Sequence, residues 1–106
     1  FRRVLFRSGK WKEEASKSPV VELTTVTLGE VLARQHAPAF IHFMSVDIEG
    51  AELQALQGIP FERYQFGAMA IEHNEEEPKR SNIVNFLASK GYRRVRSYRQ
   101  DDFFAP

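Results

Sequence analysis

The feature that most narrows the choice of fold is the run Phe40-Ile41-His42-Phe43-Met44-Ser45-Val46-Asp47-Ile48, closed by Glu49-Gly50. It is nearly continuous in apolar side chains. A strand with one wet face alternates polar and apolar residues, whereas a parallel strand covered on both faces has no reason to. The run therefore reads as a buried parallel strand. Phe66-Gly67-Ala68-Met69-Ala70-Ile71 repeats its character, and Glu72-His73-Asn74 repeats its polar ending. Between the two, Leu53 and Leu56 share one face of a short helix that stops near Gly58 and Pro60.

The flanking segments fit the same plan. Val20 to Thr24 has strand propensity and leads into a marked helix start. Thr27 and Glu30 have capping-box spacing, with Val26 and Val31 placed as a hydrophobic staple. Leu28, Val31 and Leu32 form that helix's apolar face, and Ala37-Pro38 stops it. Glu75-Glu76-Glu77-Pro78 reads as a second helix start, where negative charge suits the dipole. Ile83, Phe86 and Leu87 are its stripe, and Lys90-Gly91 its close. Tyr92 to Tyr98 reads as an edge strand, and Asp102-Phe103-Phe104 as a short last one. Alternating strands and helices predict an α/β layer fold with right-handed parallel crossovers, occupying residues 20–106.

Residues 1–19 stand apart. The first eight, Phe1-Arg2-Arg3-Val4-Leu5-Phe6-Arg7-Ser8, resemble a translated sequencing adapter, back-translating as TTC AGA CGT GTG CTC TTC CGA TCT. On that reading they are foreign and natural sequence is missing upstream. The polar stretch 9–19, anchored only by Trp11, reads as a disordered loop. Without Arg2, Arg3 and Arg7, twelve basic residues face 14 acidic ones, and the net charge moves from +1 to −2. The basic isoelectric point then says nothing for a nucleic-acid partner. No apolar run approaches the roughly 20 residues that cross a bilayer, so no membrane partner is expected. Zero cysteines fit a reducing, cytoplasmic compartment and exclude thiolate metal sites.

In open α/β sheets ligands collect beyond the carboxyl ends of the strands. Asp47 and Glu49 from the first strand, and Glu72 and His73 from the second, are thus expected to converge. Asp47 could position or deprotonate a nucleophile, or hold a divalent ion with Glu49. The competing reading makes both residues caps of the helix that follows. Glu52, one turn further, reads as a structural dipole partner. His73 is of the residue type that suits a general base near neutral pH, whereas Asn74 is more simply the N-cap of the next helix. His42 reads as a hydrogen-bonded core histidine, and His36 as a helix-end dipole partner. Arg93, Arg94, Arg96 and Arg99 around Tyr92 and Tyr98 read as charge guarding an edge strand rather than as an RNA surface.

Several stretches together resemble the FkbM family of S-adenosylmethionine-dependent methyltransferases. Val26-Thr27-Leu28-Gly29-Glu30-Val31-Leu32 is similar to its V-T-L-D-D-L-L element. Ser45-Val46-Asp47-Ile48-Glu49-Gly50-Ala51-Glu52 looks like its hallmark (K/S)-hydrophobic-D-hydrophobic-E-G-x-E. Ala70-Ile71-Glu72-His73-Asn74 and Gly91-Tyr92 follow in family order, so the resemblance spans roughly residues 20–104. It implies a partial Rossmann-like methyltransferase sheet, strands 4 to 7 of the order 3-2-1-4-5-7-6, with flanking helices. The glycine-rich loop and the acidic residue that hold S-adenosylmethionine belong to strands 1 to 3, and no G-x-G loop occurs here. The resemblance thus implies the carboxyl-terminal half of an enzyme that methylates an oxygen of a small metabolite or glycan, inactive alone.

Asp47, Glu49, Glu72 and His73 are the candidate catalytic residues; no metal is assigned. Two other classes compete: a non-catalytic α/β interaction module, and a metal-dependent hydrolase built on Asp47, Glu49 and Glu72. The hydrolase predicts stabilisation by divalent ions. The methyltransferase predicts an upstream strand followed by a glycine-rich loop. Loss of a neighbouring first strand would also leave residues 40–48 as an open apolar edge, through which the chain is expected to self-associate.

Overall fold

The computed structural model describes the backbone of residues 2–5 and 20–106, and side chains from residue 20 onward. The stretch 9–19, with Trp11, lies outside the described residues. Strand β1 (Arg2–Leu5) pairs antiparallel with β2 (Glu22–Thr25), from Arg2 opposite Thr25 to Leu5 opposite Glu22. Helix α1 (Leu28–Arg34) opens on the capping box: the Glu30 N–H donates to Thr27 Oγ1 at 3.1 Å, and the Thr27 N–H donates to the Glu30 carboxylate at 3.3 Å. These bonds satisfy donors that the first helical turn cannot. Val26 and Val31 both stay exposed, so a staple between them shields little apolar surface.

The main sheet contains β3 (Phe40–Val46), β4 (Gln65–Glu72), β5 (Arg93–Tyr98) and β6 (Asp101–Ala105), in the order β3-β4-β6-β5. β3 and β4 are parallel and joined through α2 (Glu52–Gln57), while α3 (Lys79–Ser89) carries the chain from β4 to β5. β6 lies between β4 and β5 and is antiparallel to both. The cause is local. Only Arg99 and Gln100 separate β5 from β6, and a two-residue connection permits antiparallel pairing alone.

Residues of α2 and α3 and of β3, β4 and β6 share one core: Val46, Leu56, Met69, Ile71, Ile83, Leu87 and Phe104 are buried together, with Leu28 and Leu32 of α1 packed at its margin. Beside it Phe61 meets Phe66, Phe86 and Tyr92 at ring-centroid distances of 5.9, 6.0 and 5.8 Å. The Phe66 N–H, which lies before β6 begins to pair at Met69, donates to the Tyr92 hydroxyl at 2.9 Å. That bond satisfies a buried donor the ladder leaves over.

β3 departs most from its sequence reading. Val46 is its one buried residue, and Phe43 is 53% exposed. Its two faces are therefore not both covered, against expectation, whereas its place at the sheet edge, paired among the described residues only with β4, is the open edge expected of residues 40–48. His42 is exposed there, its ring edge-on to Phe40 at 5.1 Å, and it is not the core histidine expected. The β3–β4 register skips the His42–Gly67 pair. A Cβ on Gly67 would stand 2.7 Å from the His42 carbonyl oxygen, a backbone atom that cannot swing aside. Gly67→Ala is therefore expected to cost roughly 1–2 kcal/mol through forced strand separation, read as a lower urea midpoint at unchanged slope.

The second helix start is also corrected. α3 begins at Lys79 with Pro78 at the N-cap position and no side-chain cap, while Asn74 and Glu75 adopt left-handed φ of 51° and 57°. Asn74 is thus not the N-cap, and two turns, Asn74-Glu75 and Glu77-Pro78, precede the helix. Proline disfavours helical backbone in the residue preceding it, which keeps Glu77 outside.

Candidate active site

The parallel register decides which polar residues meet. Val46 pairs with Ile71, so the next residues, Asp47 and Glu72, leave the ends of adjacent strands side by side. Glu49 joins them by a different route from the one simple alternation implies. It takes a left-handed φ of 56°, followed by Gly50 at 118°, and this turn brings its carboxylate back toward the strand ends. One carboxylate oxygen from each of Asp47, Glu49 and Glu72 lies within 4.8 Å of the others. Asp47 and Glu49 are exposed, whereas Glu72 is partly buried.

Three carboxyls this close cannot all carry charge without cost. Glu72 bears it: its pKa is pushed up to about 7, first by a hydrogen bond shared with Asp47, then by burial and by repulsion from Asp47, Glu49 and Glu52. When protonated, Glu72 can donate to Asp47, and Glu72 gives up that proton near neutrality. Chemically, the tip can accept a proton from a bound hydroxyl or supply three oxygens to a hard divalent cation.

Glu52 is wholly buried beneath this tip. Its Oε1 accepts the N–H of Ile48 at 3.2 Å and of Gly50 at 3.1 Å, and its Oε2 lies 2.8 Å from Lys79 Nζ. Burial alone would raise its pKa, but the Lys79 ammonium and the backbone donors outweigh that and hold it below the usual carboxylate value. Asp47 and Glu49 do not cap α2, whose N-cap is Ala51 without a side-chain bond.

His73 goes elsewhere. As the residue after Glu72 it faces away from the carboxylate tip and is 1% exposed. Its Nδ1 accepts the Glu75 N–H at 2.8 Å, and its Nε2 lies 3.6 Å from Asp102 Oδ1. Asp102 is the hub of that region: Arg80 donates to both its oxygens at 2.8 Å, Ser97 Oγ donates at 2.6 Å and Arg94 at 3.3 Å. Burial would raise the Asp102 pKa, but Arg80, Ser97 and nearby His73 hold it down to about 2. The structure therefore brings Asp47, Glu49 and Glu72 together and sets His73 and Asn74 apart from them. Of the basic run, Arg94 joins Asp102, whereas Arg96 and Arg99 lie over the Tyr98 ring at 5.9 and 5.3 Å.

Sequence reasoning missed Lys79, Arg80 and Asp102. Asp102 did carry a signal, because it alternates with buried Phe104 on one face of β6. Lys79 and Arg80 carried none; an α3 start placed four residues too early hid their position.

A mixed four-strand sheet flanked by helices, with carboxyls gathered at the ends of its two parallel strands, is the frame of an α/β enzyme domain. The model of the methyltransferase FkbM domain matches residues 5–94, and the chain belongs to that family. The match begins inside the segment that resembles adapter sequence. No curated protein and no solved structure matches the chain. Among the described residues no helix is long and apolar enough to cross a membrane.

Proposed function

We propose that this chain is the acceptor-side half of an S-adenosylmethionine-dependent O-methyltransferase that acts on a hydroxyl of a small metabolite or glycan. The observation that carries the proposal is the meeting of Asp47, Glu49 and Glu72 at the strand ends in a chain of this family. The sheet order supports it. Numbering β3, β4, β5 and β6 as strands 4 to 7 reproduces the end of 3-2-1-4-5-7-6. These residues are given the acceptor, and the donor is given to another part of the enzyme.

Methylating a hydroxyl requires that its proton leave. Asp47 orients the hydroxyl at the exposed tip, and Glu72, titrating near neutrality, takes the proton. The remaining acceleration comes from alignment of donor and acceptor, which needs few acid–base groups.

The test is to express the chain with its native upstream coding sequence and to follow labelled S-adenosylmethionine. Binding is expected, with methyl transfer to hydroxyl acceptors lowered about 10²–10⁴-fold by Asp47→Asn and Glu72→Gln. Binding with transfer indifferent to both substitutions would refute the assignment of the tip. Absence of binding would favour an interaction module. A second reading has the geometry of the three oxygens behind it, as a divalent-ion site. It requires magnesium or manganese to raise the melting temperature of the chain and Glu72→Gln to abolish the rise.

A further inference from the structure

Accepting the acidic tip as the acceptor site, we infer that Glu52 and Lys79 form a positioning pair that holds the turn Asp47–Gly50 and so places Asp47 and Glu49 beside Glu72. The turn cannot hold itself. Glu49 sits at a left-handed φ of 56°, a region costly for a residue with a Cβ, and Gly50 follows at 118°. A Cβ on Gly50 would meet nothing within 4 Å, so packing does not confine it. The turn does make two bonds downward: the N–H groups of Ile48 and Gly50 both donate to Glu52 Oε1. Those donors flank Glu49, so one oxygen clamps the strained residue from either side.

Glu52 can serve as that anchor because it is itself fixed. Its side chain is fully buried, and its other oxygen takes the ammonium of Lys79, whose side chain is 16% exposed. Lys79 is the first residue of α3. The end of β3 is thereby tied to the start of the helix that follows β4, and the two strand ends that carry the carboxyls are referenced to one ion pair. A charged acceptor strengthens both backbone bonds. Glu52 makes no hydrogen bond to the three tip carboxylates; it repels Glu72 through its charge, and it holds Asp47 and Glu49 in place through the backbone.

Amide hydrogen exchange on the 106-residue chain reads this directly. In Glu52→Ala the Ile48 and Gly50 amides are expected to exchange roughly tenfold faster, as loss of a charge-assisted bond implies. The Ile71 and Leu87 amides keep their rates. Glu52→Gln restores most of the protection, since its side-chain carbonyl still accepts. Acceleration spread equally over Leu87 and Ile71 would make Glu52 a mere core residue and overturn the inference. Should the alanine variant not fold, the unmodified chain decides. Ile48 and Gly50 amide protons that follow the Glu52 carboxyl carbon through its titration support the clamp, and amides blind to it refute the clamp. None of these readouts uses methyl transfer. A failed transfer assay with an intact clamp would sink the acceptor-site reading alone.

Discussion

Asp102→Ala is expected to destabilise the chain by about 3 kcal/mol, the lower end of the cost of orphaning a buried ion-pair partner. Asp102 is 2% exposed and receives four donated bonds, two from Arg80 and one each from Ser97 and Arg94. Removing it leaves the Ser97 hydroxyl without its acceptor and the Arg80 guanidinium with only Ser97 Oγ, at 3.0 Å, between α3 and β5. Arg80 keeps 28% of its side chain exposed and recovers some solvation, which is why the upper end is not expected. For a domain of this size the loss corresponds to roughly 10–25 °C in melting temperature. An unchanged melt would show that water already satisfies the network.

The pH signature of the same residue has a definite sign. A carboxylate held at about 2 in the fold, against 3.8 when unfolded, stabilises above the unfolded value and loses that contribution as pH falls through about 2. The full shift is worth roughly 2 kcal/mol. Urea unfolding between pH 5 and pH 2 should show the chain losing this amount and Asp102→Asn not losing it.

Glu72→Gln is expected to act in the opposite direction and to stabilise the chain at pH 8 by about 2–3 kcal/mol. The folded carboxyl titrates at about 7, above the ordinary 4.5, so the folded state binds the extra proton between those values. Stability therefore falls as pH rises from about 4.5 to 7 and stays low above it. Glutamine cannot ionise and keeps a donor for Asp47. The gain should be present at pH 8 and absent at pH 4. Because Glu72 is also assigned the proton of the acceptor, the stabilised variant should be the slower enzyme, a trade common at active sites. An equal gain at both pH values would mean that the tip carboxyls do not interact.

The carboxylate tip was legible in the sequence, and the buried hub around Asp102 was not. Asp47, Glu49 and Glu72 could be grouped from sequence because strand ends in an α/β sheet collect polar residues, and each stands at or just past the end of an apolar run. His73 was grouped with them for the same reason, wrongly as to place. Adjacent residues at a strand end point to opposite faces, and that parity separates Glu72 from His73. Glu52 had the look of a dipole partner near a helix start. Nothing local announced that Lys79 would reach it, since 26 residues and a whole strand lie between them.

What the sequence determined alone is everything that depends on near neighbours: the α1 capping box, the helical stripe of Ile83, Phe86 and Leu87, and the strands from β2 to β6. These follow from backbone sterics and periodicity over a few residues. Tertiary structure decided the rest. It paired β6 with both β4 and β5, left Phe40 and Phe43 of β3 exposed, set the register that puts Asp47 against Glu72, and supplied the Lys79–Glu52 and Arg80–Asp102 pairs. The physical reason is that register and ion pairing are contacts between residues far apart in the chain. Their energies depend on distance and burial in the assembled fold, which no window of sequence contains.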